Sequence, residues 1–228
     1  MATNFPGSLD SFTNPSSSST LDSPSHAAQH SNVNDAVEAL QTKVGVDGSA
    51  VTSSLDYKVA QQGLTLITTA SATSGSTLDL NGIFSDTFES YRLVVTQYQV
   101  SFGAYGLDMQ MKAGGTVTTT GYYGAIHRYD LGAGSYNAAT ANNTSLAYTG
   151  IITTTTSASG IVDIQSPYKP WPTRFGISGM DSRPGTTGYV GIVGQFKLDN
   201  TTSYDSLRLL HATTFVDLEV KVYGYNDG

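Results

Sequence analysis

Two histidines near the start of the chain have a spacing that metal sites use. His26 and His30 are four residues apart, which on a helix places both side chains on one face. A closed zinc site needs three or four ligands, and the segment 25–31 supplies no third strong ligand. If three copies of the chain associated, they would present three such pairs around their common axis. A metal ion bound on that axis is therefore the alternative. We expect no metal site and assign both histidines to hydrogen bonds with a docking partner.

A second group of residues has the chemistry of a sugar-binding surface. The segment 122–130 reads Tyr-Tyr-Gly-Ala-Ile-His-Arg-Tyr-Asp, and tyrosine combines an apolar ring that stacks on sugars with a hydroxyl group. The residues that we predict to contact a glycan are Tyr122, Tyr123, His127, Tyr129, Tyr136 and Trp171. The alternative is that such side chains fill the core or a subunit interface, and we expect some of them to do each.

The carboxylates and nucleophiles form no recognisable catalytic pattern. Glycoside hydrolysis needs two placed carboxylates, and the only glutamates after residue 63 are Glu89 and Glu219. Aspartates near turns usually form those turns, and the ones in such positions here are Asp130, Asp163 and Asp181. The sequence has no Gly-x-Ser-x-Gly nucleophile motif and no cysteine. We expect a protein without enzymatic activity and without a cofactor.

Composition and charge narrow the class of partner. Charged residues make up 13% of the chain, below the usual quarter, as is typical of extracellular and virion β proteins. The net charge is −7 and there is no basic run, which argues against a nucleic-acid groove and against an anionic membrane surface. No apolar stretch approaches the roughly 18 residues of a transmembrane helix. We therefore expect neither nucleic acid nor membrane insertion.

The segment 32–45 has the strongest helix signals. Asn32 can cap the start of a helix and Gly45 can end it. Apolar residues recur at spacings of four, three and four, which is a coiled-coil seam of about two heptads; they are Val33, Val37, Leu40 and Val44. A helix of about 12 residues is marginal alone in water. We predict that residues 32–62 form a neck in which three copies pack along this seam, the alternative being a helix that lies on the chain's own β domain.

The first 31 residues contain too few apolar side chains to order themselves. Their widely spaced apolar residues are Phe5, Leu9, Phe12 and Leu21. Such a segment makes sense if another protein supplies the surface on which it lies. We predict that residues 1–31 are an extended arm and that these four residues, with His26 and His30, are its contacts.

From residue 63 onward the pattern becomes that of β-strands. The segment 107–112 alternates strictly between apolar and polar residues. The segment 215–225 also alternates, which predicts that the inward side chains are Val216, Leu218, Val220 and Val222. Many short strands separated by glycine- or proline-containing turns predict an antiparallel sandwich. We predict that residues 63–228 form a mainly β, antiparallel, jelly-roll-like β-sandwich, preceded by the extended arm and the short helical coiled-coil neck.

Two parts of the chain resemble tailed-bacteriophage virion proteins. The first comprises Ser25-His26, Gln29-His30, Asn-Asp-Ala-Val-Glu-Ala-Leu-Gln at 34–41, Lys-Val-Gly at 43–45 and the run 47–58. It resembles an N-terminal module of tail-fibre and related appendage proteins. The second comprises the segments 78–84, 88–95 and 220–225, which are similar to the start and the last strand of a β-sandwich in phage structural proteins. This resemblance implies a homotrimeric appendage whose N-terminus docks on the virion, and it brings no catalytic residues.

Residues and resemblance together predict a non-enzymatic structural protein located in the virion. The leading interpretation is a homotrimeric tail fibre or receptor-binding appendage. Its arm would bind other virion proteins (tail, portal-vertex or capsid), and its Tyr-rich segments would contact a host surface glycan. The alternative is a capsid decoration protein of the cement or head-fibre type, and a polysaccharide depolymerase ranks third.

Overall fold

The chain divides into two compact units between Gln62 and Gly63. The computed structural model describes residues 16, 18, 20, 22, 25–60, 62–101, 105–130, 134–153, 158–182 and 189–226. Four residues of the predicted arm lie outside the described residues, namely Phe5, Leu9, Phe12 and Leu21. Their role as contacts with another protein therefore stays a prediction.

The first unit contains two helices, α1 (His26–Val44) and α2 (Leu55–Ala60). Helix α1 begins six residues before the predicted start, so Asn32 lies inside it and is not its cap. The segment 27–29 is Ala-Ala-Gln, and the high helix propensity of these residues accounts for the extension. The helix ends at Gly45, as predicted, with a φ of 88° and an amide that donates to the Gln41 carbonyl at 2.8 Å. Residues 26–31 are therefore helical and do not belong to an extended arm.

Helix α2 is short, and its start is fixed by Ser54. The Ser54 hydroxyl accepts a hydrogen bond from the Tyr57 amide at 3.2 Å, which is the geometry of a helix cap. Ser54 is fully buried. The loop before it is tied to α2, because the Ser49 amide donates to the Asp56 carboxylate at 2.9 Å.

The second unit is mainly β, as predicted. The strands among its described residues are β1 (Leu64–Ala72), β2 (Thr77–Leu80), β3 (Ser90–Val100), β4 (Tyr105–Ala113), β5 (Thr116–Val117), β6 (Tyr122–Asp130), β7 (Ser135–Thr144), β8 (Ala147–Thr153), β9 (Ala158–Gln165), β10 (Thr173–Ser182), β11 (Tyr189–Leu198), β12 (Ser206–Leu210) and β13 (Phe215–Tyr225). The sequence pattern did not predict β2, β5 or β7, because β2 and β5 are only four and two residues long and β7 carries few apolar residues that alternate.

The strands form two antiparallel sheets. The larger sheet has eight strands in the order β1-β13-β3-β9-β10-β11-β6-β7. The smaller has five, in the order β2-β12-β4-β5, with β8 also paired to β4. Strand β8 contacts β10, β6 and β11 of the larger sheet, and both sheets contribute to one cluster of buried apolar side chains. This arrangement is consistent with the predicted β-sandwich, and the prediction of an antiparallel, mainly β fold is confirmed.

One inward residue of β13 was predicted wrongly. Val216 is 42% exposed, whereas Phe215 is 1% exposed. A bulge between Phe215 and Asp217 shifts the register of β13 against β3, and a bulge turns the following side chains to the opposite face. Phe215 therefore takes the core position that strict alternation assigned to Val216, while Leu218 and the later inward residues are buried as predicted.

Candidate binding surfaces

The outer face of the eight-stranded sheet carries most of the predicted sugar-binding residues. Strand alternation turns Ile126 of β6 into the core and Tyr123, His127 and Tyr129 outward. Tyr122 shares the inward face and is fully buried. Its hydroxyl accepts a hydrogen bond from the Met111 amide at 2.7 Å, and burial raises its pKa. Tyr122 must therefore be removed from the predicted glycan contacts, because its side chain is not accessible.

Three of the predicted residues contact each other on β6 and β7. Tyr129 and Tyr136 lie directly opposite each other, with ring centroids 5.4 Å apart. His127 stacks on Tyr136 with a centroid separation of 5.5 Å, and its Nδ1 atom hydrogen-bonds to the Tyr136 hydroxyl. Tyr129 and Tyr136 are 47% and 54% exposed. Their rings therefore present apolar faces to an outside partner.

Apolar side chains of β10 and β11 extend this cluster. The residues Met180, Gly191, Tyr129 and Tyr136 lie in one cross-strand row over four neighbouring strands. An ideal Cβ on Gly191 would meet nothing within 4 Å, so the row has a shallow slot between Met180 and Tyr129. Met180 and Val193 are each more than half exposed. We call the group of His127, Tyr129, Tyr136, Met180 and Val193 the aromatic patch.

A polar groove lies at the other end of the same face. The residues Gln165, Arg174, Lys197 and Tyr123 form a second cross-strand row. Gly176 and Gln195 also line the groove on this face, the buried Phe175 and Phe196 contribute to its floor, and the groove encloses about 380 Å³. Gly176 leaves its floor open because an ideal Cβ there would meet nothing within 4 Å. We call the six outward-facing residues Gln165, Arg174, Lys197, Tyr123, Gly176 and Gln195 the polar groove.

The polar groove combines two cations with flat polar side chains. Lys197 Nζ lies 5.8 Å from the Tyr123 ring centroid and 3.2 Å from Asp199 Oδ1. Among the described residues, Arg174 is exposed and has no carboxylate partner. A guanidinium presents a fork of donors that matches a carboxylate or a phosphate. The groove can therefore bind a sugar that stacks on Tyr123 and carries an anionic group.

Sequence reasoning found only part of this surface. Tyr123 lies in the polar groove, about 20 Å along β6 from Tyr129 in the aromatic patch. Trp171 lies in the turn between β9 and β10 and is 47% exposed, but it does not line the groove. The groove residues that the sequence did not reveal are Gln165, Arg174, Gln195 and Lys197. They are far apart in sequence, and only the pairing of β9, β10, β11 and β6 brings them together.

Helix α1 carries a second candidate surface, in the first unit. The predicted seam residues Val33, Val37, Leu40 and Val44 are between 45% and 52% exposed. No residue of α1 is buried, so the described part of the first unit does not cover this seam. A row of four half-exposed aliphatic side chains leaves apolar surface in contact with water, and burying that surface would lower the free energy. The seam is therefore available for packing against another helix.

The two histidines of α1 contact each other. The Nε2 atoms of His26 and His30 are 3.0 Å apart, and their rings meet edge to face with centroids 4.4 Å apart. The described residues of one chain contain no group of three or more histidine, aspartate or glutamate side chains that could hold a metal. They also contain no helix with the length and apolar character needed to cross a membrane.

Two carboxylates of the β unit have lowered pKa values because they accept hydrogen bonds from cations. Two hydrogen bonds from Arg208 and one from Lys112 lower the pKa of Asp79 to about 2, although partial burial acts to raise it. Burial acts to raise the pKa of Asp163, but hydrogen bonds from Arg92 and Tyr225 bring it below its usual value. Both carboxylates are therefore ionised at neutral pH and form ion pairs that join neighbouring strands.

Comparisons of the chain with protein-family models, with curated proteins and with solved structures find no match.

Proposed function

We propose that the protein is a non-enzymatic structural component of a tailed-phage virion. In this proposal it is a homotrimeric tail fibre or receptor-binding appendage. It has an N-terminal anchoring arm, a coiled-coil neck built on α1 and a jelly-roll-like β-sandwich. The anchoring arm would bind tail, portal-vertex or capsid proteins. The resemblance of segment 25–58 to phage appendage modules supports the virion assignment.

The uncovered seam of α1 is the observation that carries this proposal. Four aliphatic side chains at heptad spacing are about half exposed, and identical copies would bury each other's seam. Three copies on one axis also multiply a weak contact with a cell surface into a strong one. Trimerisation thus links the helix to a binding role for the β unit.

The polar groove supports a glycan as the receptor. Tyr123 offers a stacking face, Gln165 and Gln195 offer amides for sugar hydroxyls, and Arg174 offers a fork for an acidic group. The chain has a net charge of −7, yet no carboxylate among the described residues pairs with this arginine, which makes it a local site for an anion. We therefore expect acidic envelope polysaccharides or lipopolysaccharide cores to bind better than neutral ones.

Two measurements test the proposal. Sedimentation velocity of the full chain at micromolar concentration should give the mass of a trimer, and a monomer at all concentrations would contradict the neck. Binding to host envelope glycans should fall at least tenfold in Arg174→Gln, while Lys58→Gln, which removes the same charge from the first unit, should leave it unchanged. Equal binding by both variants would exclude the polar groove as the receptor site.

The aromatic patch favours capsid decoration as the second candidate. Met180, Val193 and the two tyrosines form an exposed apolar surface, which fits a protein shell as well as a sugar. Removing a decoration protein should reduce the resistance of particles to heat without changing adsorption to cells. Loss of adsorption to cells with unchanged resistance to heat supports the receptor-binding role. New reducing ends after incubation with host polysaccharide would overturn the non-enzymatic assignment in either case.

A further inference from the structure

His26 and His30 continue the seam of α1 toward its N-terminus. The positions 26, 30, 33, 37, 40 and 44 are spaced by four, three, four, three and four residues. This is an unbroken heptad pattern in which histidines occupy the two positions before Val33. The pattern is realised because α1 begins at His26. In a parallel bundle, side chains at these positions point toward the common axis.

The separation of the two imidazole nitrogens fits a particular coordination geometry. The Nε2 atoms are 3.0 Å apart. If each were about 2.1 Å from one metal ion, the two bonds would enclose an angle of about 90°. This is the angle between neighbouring ligands of an octahedral ion, whereas a tetrahedral ion would need nitrogens about 3.4 Å apart. The pair is therefore spaced as adjacent ligands of an ion that accepts six.

We propose that His26 and His30 of three copies bind one divalent transition-metal ion on the axis of the neck. This inference rests on the proposed self-association of α1. One chain supplies two nitrogen ligands, and its described residues contain no cluster of three. Three chains supply six imidazoles, which completes an octahedral shell. Imidazole selects ions such as Ni²⁺, Co²⁺ or Fe²⁺ over Mg²⁺ and Ca²⁺, which prefer oxygen.

The metal would stabilise the N-terminal end of a short coiled coil. The apolar part of the seam covers only about two heptads, and uncoordinated histidines at its N-terminal end are polar groups facing the axis. An ion that binds the trimer and not the separated chains shifts the equilibrium toward the trimer. The neck would therefore assemble at lower protein concentration when the ion is present.

The decisive experiment uses the full chain without an affinity tag, after treatment with a chelator. Calorimetric titration with Ni²⁺ should give one ion per three chains. The protein concentration at which half of the trimer dissociates, measured by sedimentation, should fall at least tenfold when Ni²⁺ is added. With Co²⁺ the visible absorption should be weak, as in octahedral complexes. A stoichiometry of one ion per chain, or the intense absorption of tetrahedral Co²⁺, would overturn the axial six-ligand site.

Matched variants separate this inference from the proposal on which it rests. The double variant His26→Gln/His30→Gln should abolish the Ni²⁺ effect on dissociation, and each single variant, which keeps three of the six imidazoles, should weaken it, while His127→Gln on β6 should retain it. Glutamine supports a helix, so circular dichroism should show unchanged helix content. A trimer that ignores Ni²⁺ refutes the metal site and leaves the neck intact. A chain that is monomeric with and without Ni²⁺ refutes the neck itself.

Discussion

Lys112 Nζ lies 2.8 Å from Asp79 Oδ2, although Lys112 is only 4% exposed. Asp79 also receives two hydrogen bonds from the Arg208 guanidinium, at 2.7 and 2.9 Å. One carboxylate on β2 therefore neutralises cations on β4 and β12 and joins three neighbouring strands of the smaller sheet. Asn81 supplies the second acceptor for the buried ammonium, at 2.8 Å.

Asp79→Asn should destabilise the β unit by about 2–3 kcal/mol, because it leaves the Lys112 charge buried without a carboxylate. This figure is below the range for a fully buried pair, since Asp79 is partly exposed and Asn81 remains. Urea unfolding followed by tryptophan fluorescence measures the change. Asp199→Asn, at the half-exposed pair with Lys197, is the control and should cost less than about 0.5 kcal/mol. Equal costs would show that burial of Lys112 has no energetic consequence.

The Asp79 cluster should also produce an acid-sensitive step in stability. The folded pKa of Asp79 is about 2, below the value of about 3.9 in an unfolded chain. Its contribution is therefore complete above about pH 4 and is lost as the pH falls toward 2. After discounting for partial exposure, we expect a loss of about 1–2 kcal/mol in this window. In Asp79→Asn the step should shrink by that amount, and an unchanged step would assign it to other carboxylates.

Asp108→Asn should stabilise the protein at neutral and alkaline pH. Burial raises the pKa of Asp108 to about 7, against the attraction of the Arg128 guanidinium. The folded chain then holds a proton that the unfolded chain has lost, so this residue makes stability fall as the pH rises from about 4 to about 7. Asparagine cannot ionise, and we expect a gain of about 2 kcal/mol at pH 8 and little change at pH 4. Thermal unfolding at both pH values checks this, and a variant that is less stable at pH 8 contradicts it.

Gly194→Ala should destabilise β11, whereas Gly191→Ala in the same strand should not. A Cβ at Gly194 would lie 2.4 Å from Ile126 Cγ2 and 3.0 Å from the Ala125 carbonyl oxygen. Overpacking of this kind costs about 1–3 kcal/mol. A Cβ at Gly191 meets nothing within 4 Å, and loss of glycine's freedom in the unfolded chain favours the variant slightly. Chemical denaturation of both proteins makes the comparison, and equal stabilities would mean that Ile126 moves aside freely.

Leu40→Asp should break the trimer or weaken it greatly, because a charge placed in so short a seam outweighs the burial that the seam gains. Ser31→Asp adds the same charge away from the seam and should leave the trimer intact. Sedimentation velocity distinguishes the two variants. A trimeric Leu40→Asp protein would mean that the β unit, and not α1, holds the copies together.

Two sequence patterns, the heptad spacing of a helix and the alternation of strands, predicted most of the fold. Alternation at 107–112 and 215–225 found the buried faces of β4 and most of β13, because side chains of a strand point alternately to its two sides. Alternation failed at Val216, where a bulge adds one residue to β13. The prediction from residue type failed at Tyr122, which was expected to contact a glycan but is fully buried in the core. Neither the bulge in β13 nor the burial of a tyrosine can be recognised from the residue types nearby in the sequence.

The sequence by itself determined that a β unit follows a helix with an apolar seam, since both depend on neighbours within a few residues. Tertiary structure alone decided that Gln165, Arg174, Lys197 and Tyr123 share one row, because the order and register of strands depend on packing over the whole sheet. The start of α1 at His26 is local in origin, because residues 27–29 favour a helix, and it makes two residues of the predicted arm members of the helix seam. Local spacing sets which side of an element a residue occupies, and long-range pairing sets what stands beside it.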